Sequence, residues 1–324
     1  MRAIWRRLLI SLLGLCALPL ASAQDWPAKA VRIVIPYPAG GGLDVLSRAV
    51  AAELAAKWKQ PIYIDNKGGA GSIIGADTVA KAAPDGYTLM ATINPTVVGN
   101  RFLYKGLPYD PDRSFEPITM MVIGDQLLLA NSDLPAKSLT EAIAMARKEP
   151  GKLSYGSYGY GSQSHLFFET IKARERVNIL HVPYKGITPN LIALAGGEVM
   201  LGMASIAAAS PLILSGKIKV ISVAASRRAP QYPNVPTTDE QGYPYAKSSI
   251  WFALFAPAGT PEAITNRVRE DVRAILNKPE FAETHVTSKG LSVVAGDKVQ
   301  LEEAIRNETQ IVMEQVKAAG VTPE

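Results

Sequence analysis

The segment Pro36-Tyr37-Pro38-Ala39-Gly40-Gly41-Gly42-Leu43-Asp44 holds three consecutive glycines, one acid and no lysine or arginine. Residues without a Cβ let a ligand come close to main-chain N–H groups. The apolar spacing Leu46, Val50, Leu54 that follows predicts a helix whose positive end lies at the same place. Such a pair would favour an anion without needing a cation. The same residues also fit a tight turn that packs strand on helix and binds nothing. Asp44 reads first as a helix cap or first-turn acid and second as a ligand contact. Three further stretches repeat the theme ahead of predicted helices: Gly69-Ala70-Gly71, the glycine and hydroxyl run Gly156 to His165, and Ala204-Ser205. Loops at the carboxyl ends of strands in an open α/β sheet converge on one crevice, which favours an anion site over four unrelated turns.

Among titratable groups, His165 has a reference pKa near neutrality and could act as a general base. It falls in the first turn of a predicted helix with no acid beside it, which favours packing. His181, inside the strand-like run Ile179 to Val182, also reads as packing. Tyr184 could donate its phenol to an anion, while Lys185 fits a solvated side chain equally well. The histidines at 165, 181 and 285 have no partner at metal-ligand spacing, and no H-E-x-x-H, Walker loop, G-x-S-x-G or G-x-G-x-x-G occurs. No cofactor or metal is expected.

The elements that must position these loops alternate. Val31 to Ile35, Pro61 to Asp65 and Thr88 to Thr92 read as strands, with helices over Leu43 to Trp58 and Ser72 to Ala82 between them, which predicts a parallel sheet. Two adjacent strand-like runs, Phe115 to Val122 and Gln126 to Asn131, break the rhythm and predict a crossing into a second lobe. Ser138 with Glu141 predicts a reciprocal capping box. A second α/β set follows: strands Leu153 to Tyr155, Ile179 to Val182, Val199 to Met203 and Lys219 to Val223, with helices Ser164 to Lys172 and Ile187 to Ala195. The proline cluster Pro230, Pro233, Pro236 reads as the return link. Beyond it lie the strand Ile250 to Ala256, a helix capped by Thr260 with Pro261 at its first position, and a last helix after Asp297. One strand is too little sheet for a third domain, so this part should complete the first. The expected organisation is lobe 1 over 24–123 plus 229–324 and lobe 2 over 124–228, with a cleft between them suited to a small molecule.

The chain has 324 residues, 48% hydrophobic and 19% charged, a globular composition that excludes a mostly disordered or coiled-coil protein. Arg2, Arg6 and Arg7, the apolar run Leu8 to Leu20 and Ala21-Ser22-Ala23 match a secretory leader over 1–23. The run is too short for a membrane anchor, and Leu15 before Cys16 argues against lipidation. Cleavage removes three basic residues and the only cysteine. It leaves a nearly neutral chain with no reason to bind nucleic acid and no disulfide or thiol nucleophile.

The ordered motifs carry a resemblance over essentially the whole mature chain. They are Pro36 to Asp44 with Arg48, Asn66-Lys67-Gly68-Gly69-Ala70-Gly71, Asp85-Gly86-Tyr87-Thr88-Leu89, Gly159-Tyr160-Gly161-Ser162-Gln163-Ser164-His165-Leu166, Val182-Pro183-Tyr184-Lys185-Gly186 and Ala256-Pro257-Ala258-Gly259-Thr260-Pro261. The chain resembles the Bug family, the substrate-binding receptors of tripartite tricarboxylate transporters. The resemblance implies a periplasmic, two-lobed α/β binding protein of type II, a monomer that delivers a small organic carboxylate to the permease subunits of a membrane transporter. It implies ligand contacts at Tyr37, Ala39, Gly40, Gly41, Asp44, Gly69, Ala70, Ser157, Gly161, Ser162 and His165, with Tyr184 and Ser205 on the second lobe. Ala39 and Leu43 depart from the family's usual glycine and small or polar residue. Ser205 stands where an acid is common, which argues against an amino-acid ligand. Two other classes fit the same residues: a secreted hydrolase using His165 with Ser162 or Ser164, and a ligand-sensing adaptor for a membrane sensor kinase.

Overall fold

The computed structural model describes residues 26–323, so the leader read at 1–23 lies outside the described residues. The first set of elements runs β1 (Val31–Ile35), α1 (Gly42–Trp58), β2 (Ile62–Asn66), α2 (Ile73–Ala80), β3 (Thr88–Ile93) and the short α3 (Asn100–Leu103). Next come β4 (Phe115–Asn131), α4 (Leu139–Lys148), β5 (Ser154–Ser157), α5 (Gln163–Glu175), β6 (Leu180–Pro183), α6 (Ile187–Gly196), β7 (Leu201–Ser205), α7 (Ile206–Leu214) and β8 (Ile218–Val223). The chain ends with β9 (Ser249–Pro257), α8 (Glu262–Leu276), α9 (Pro279–His285), β10 (Leu291–Val293) and α10 (Lys298–Ala319).

Two sheets repeat one pattern. In the first, β1 is parallel to β2 and β3, β3 is antiparallel to β9, and β9 is antiparallel to β4. In the second, β5 is parallel to β6 and β7, β7 is antiparallel to β4, and β4 is antiparallel to β8. The orders β2-β1-β3-β9-β4 and β6-β5-β7-β4-β8 therefore correspond strand for strand. β4 belongs to both. It pairs with β9 as far as Asp125 and with β7 from Gln126. The two runs expected there form one strand, because a ladder partner is available on both sides of the intended break.

Each sheet is covered on both faces, which is why its strands are apolar runs rather than alternating ones. Along β4, Leu128 and Ala130 enter a core with Tyr155, Phe167 and Met203, while Leu127 and Leu129 enter the opposite one with Leu194 and Val223. In the first lobe Ile33, Leu46, Leu54 and Val272 share one core, and Val34, Met90, Trp251 and Phe255 the other.

Several local expectations change. Ser138 accepts from Glu141 N–H, but the Glu141 carboxylate takes the N–H of Lys137 at 2.7 Å, so the box is not reciprocal. The reciprocal box occurs at α10, between Asp297 and Gln300. Thr260 does not cap α8: its hydroxyl donates to Pro257 O at 2.7 Å and Pro261 takes the cap position. In the stretch 229–248, which the sequence places in the first lobe, Tyr243 and Ala246 bury their side chains with Leu128 and Tyr155. Thr238 N–H donates to Val223 O at 2.8 Å, tying that stretch to β8.

The lobes touch through α5. Gln163 donates to Ser249 O at 3.0 Å, and Leu166 packs in the core that holds Trp251 and Phe255.

Candidate ligand-binding cleft

The loop after β1 leads into α1 through Gly41, whose extended backbone (φ −74°, ψ 166°) brings no side-chain acceptor to the helix start. The first N–H groups of a helix have no partner within it, so here they stay available to a ligand. Asp44 is buried, and its carboxylate turns back. It accepts from Gly40 N at 2.9 Å, from Arg48 Nε at 3.1 Å and from Asn66 Nδ2 at 3.0 Å. Burial pushes its carboxyl up, but those donors outweigh burial and hold it below the usual range. Its charge is thus committed to shaping the loop.

A hydroxyl network joins this loop to those after β2 and β3. Thr96 donates to Ser72 at 2.9 Å and accepts from Thr92 at 2.7 Å, so the Tyr37 phenol, 2.9 Å away, donates to Thr96. Burial raises the Tyr37 phenol against the opposing pull of Thr96, Ser72 and Thr92. Asn100 donates to Gly71 O at 2.9 Å and to Ser72 at 3.2 Å. These bonds hold an unusual backbone: Ala70, Gly71 and Ser72 have φ of 45°, 59° and 79°. Two non-glycine residues in the left-handed region cost about 1–3 kcal/mol each. Ala39, Gly40, Gly41, Gly69 and Ala70 are all exposed on this rim.

The loop after β5 is closed by side chains. Ser162 caps α5 by accepting from His165 N, and its hydroxyl donates to Gly159 O at 2.6 Å. Gly161 N donates to His165 Nδ1 at 3.0 Å. Ser157 is fully buried, 2.7 Å from His181 Nε2 and 3.1 Å from Gly159 O. Gly161 must be glycine: its φ is +71° and a Cβ would stand 2.7 Å from Leu103 of the other lobe.

Tyr184 joins this loop by its main chain, N–H to Ser157 O at 2.9 Å, while its phenol points to Glu198 at 3.4 Å. Burial, then Glu198, raises that phenol. Ser205 sits half-buried at the start of α7 and makes no capping bond. The structure therefore gathers the first-lobe positions into one rim and Ser157, Gly161, Ser162 and His165 into another. The functional groups of Tyr37, Asp44, Ser157, Ser162, His165 and Tyr184 are engaged internally. At the start of α1 no side chain accepts from the first N–H groups.

Sequence reasoning did not single out Asn66, Ser72, Thr96 or Asn100, which hold the first rim, and it read His181 as packing. Only Asn66 lay in a quoted motif. The others sit in ordinary helical or turn contexts, where nothing local marks a hydroxyl that bonds across three loops.

Known proteins share this architecture. An R. palustris protein solved with adipate is 33% identical, with a TM-score of 0.82 over 93% of this chain and 100% of that one. MatC from Rhodopseudomonas palustris, solved with bound malate, is 33% identical, with a TM-score of 0.77 over 90% and 100%. Protein BugT of Bordetella pertussis is 33% identical over 85% of this chain and 84% of its own length. The fold is that of a two-lobed periplasmic binding protein with its ligand cleft between the lobes. The model of the tripartite tricarboxylate transporter family receptor matches residues 46–321, and the chain belongs to that family.

Proposed function

We propose that the protein is exported to the periplasm by its leader, captures a small organic carboxylate between its lobes and delivers it to the permease subunits of a tripartite tricarboxylate-type transporter, without chemical change. The observation that carries this reading is the start of α1. Its N–H groups have no side-chain acceptor at Gly41, and the nearby acid is tied to Gly40, Arg48 and Asn66. An anion can take those amides together with the helix dipole. The relatives solved with adipate and malate favour a dicarboxylate.

Ala39, Gly40, Gly41, Gly69 and Ala70 would face the ligand from the first lobe, and Gly161, Ser162 and Ser205 from the second. Tyr37, Asp44, Ser157, His165 and Tyr184 would support them from behind. The lobes would run 24–125 plus 249–324 and 126–248. The hydrolase reading is less favoured: His165 Nδ1 accepts from Gly161, the Ser162 hydroxyl meets the main-chain N–H of His165 rather than its ring, and the Ser164 hydroxyl lies with Tyr158 N and Ser162.

Isothermal titration of folded, ligand-stripped protein against a carboxylate panel that includes malate and adipate tests the proposal. One-to-one binding to at least one acid is expected. Failure to bind any of them overturns it.

A further inference from the structure

We propose that His165 and His181 form a stacked pair that positions the loop after β5 for ligand binding, and that one proton entering the pair releases that loop. The inference rests on reading this loop as the second lobe's half of the site. Five rings pile from the rim inward: Tyr160, His165, His181, Tyr155 and Phe168, with successive centroids 4.7, 4.3, 4.8 and 4.3 Å apart. Each imidazole reaches the loop with one nitrogen. Gly161 N donates to His165 Nδ1 at 3.0 Å, and His181 Nε2 lies 2.7 Å from Ser157 Oγ.

The first bond fixes a tautomer. Nδ1 of His165 must be bare to accept, so its proton sits on Nε2. Protonation puts a hydrogen on Nδ1, and the Gly161 N–H then faces a donor. Gly161 is the residue packed on Leu103 across the cleft, so displacing it moves the contact between the lobes.

The surroundings resist that proton. Burial lowers both imidazoles, His181 to about 4, and each disfavours charge on the other because two cations cannot share a stack 4.3 Å apart. Two charged groups face the pair, Glu169 and Lys172 of α5. They pull in opposite directions and are bonded to each other at 2.6 Å. The Tyr155 phenol from β5 donates to Glu169 at 2.7 Å, and the Tyr160 ring from the loop packs on His165 at the outer end of the stack.

The test uses the full mature chain labelled with 15N throughout. Without ligand at pH 7, nitrogen shifts should report two neutral rings, with His165 as the Nε2–H tautomer. Between pH 7 and 4 the Gly161 amide should move with the same midpoint as the His165 ring, below 6.5. An Nδ1–H tautomer, or a Gly161 amide that ignores the ring's titration, overturns the proposal.

The second arm measures malate and adipate affinity. Wild type should weaken about tenfold per pH unit below that midpoint. His165→Asn, which keeps an acceptor near Nδ1 and takes no proton, should lose the acid dependence, measured relative to its own affinity at pH 7. Equal acid loss in both proteins overturns the pair's role. If neither acid binds at pH 7, the receptor reading is damaged, and the tautomer and the Gly161 titration still decide this inference.

Discussion

The loop after β1 and the loop after β5 occupy the same place in two corresponding sheets, and each opens a helix. They treat their backbone donors in opposite ways. In the first, the cap is Gly41 and brings no acceptor, and the one nearby acid is held away from the first-turn amides by Gly40, Arg48 and Asn66. In the second, Ser162 caps the helix, His165 takes the N–H of Gly161, and Ser157 and Ser164 lie within reach of the N–H groups of Gly159 and Tyr158. A helix start can hold an anion only if nothing internal competes for its amides. Under the proposed function, the difference gives attraction to the first lobe and shape to the second.

The sharpest way to break that comparison is to give the first loop the cap it lacks. Gly41 has an ordinary φ, and a Cβ there meets nothing within 4 Å, so Gly41→Asp should fold. The new carboxylate would cap α1 and compete with the ligand. Melting temperature should hold or rise, while malate or adipate affinity should fall roughly 100-fold, about 2.7 kcal/mol. Unchanged affinity by titration calorimetry would remove the start of α1 from the site.

The next effect belongs to the second lobe and appears in stability. Ser157→Ala removes the fully buried hydroxyl that lies 2.7 Å from His181 Nε2 and leaves that ring nitrogen without its partner, which should cost about 1–3 kcal/mol. Urea unfolding should register that loss even without ligand. A protein as stable as wild type would mean that the hydroxyl is not part of the loop's support.

Acid should separate the two loops in order. His181 and His165 are lowered from 6.5, so below that pH the unfolded chain takes up protons that the native state refuses. Their contribution is complete above pH 6.5, is lost progressively down to about 4 for His181, and falls no further below. Asp44 is lowered from 3.8, so its contribution is lost only as pH drops below that value. Urea unfolding from pH 7 to 4 should therefore show a loss that His181→Gln flattens and Asp44→Asn does not.

The alternation of strand and helix, and the return of the last strand to the first sheet, were legible because hydrophobic period and glycine-bearing loops are local signals. The glycine loops were legible as a set for the same reason. Which donors in those loops remain free was not. The partners of Tyr37 and Ser157 lie 59 and 24 residues away, and a hydroxyl looks the same in sequence whether it faces a ligand or a neighbour. In the 229–248 stretch prolines suggest a link, while Tyr243 and Ala246 find their core only through tertiary packing. Thr260 failed as a cap because its hydroxyl found Pro257 O first.

The smallest effect concerns how the lobes hold together behind the cleft. α5 faces α10 through an ion pair, Arg174 to Glu314 at 3.7 Å, with both side chains more than half exposed. It also contributes Leu166, 3% exposed, to the core around Trp251. Solvent screens the ion pair, so Glu314→Ala should change stability by less than about 0.5 kcal/mol and leave affinity unaltered. Leu166 is out of reach of screening, and its contact persists at any salt concentration. If unfolding midpoints of Glu314→Ala fell substantially and wild-type stability dropped with added salt, charge would be holding the lobes together. A flat response to both assigns that work to the apolar seam, which leaves the amides of the first lobe as the main place where salt and ligand charge should matter.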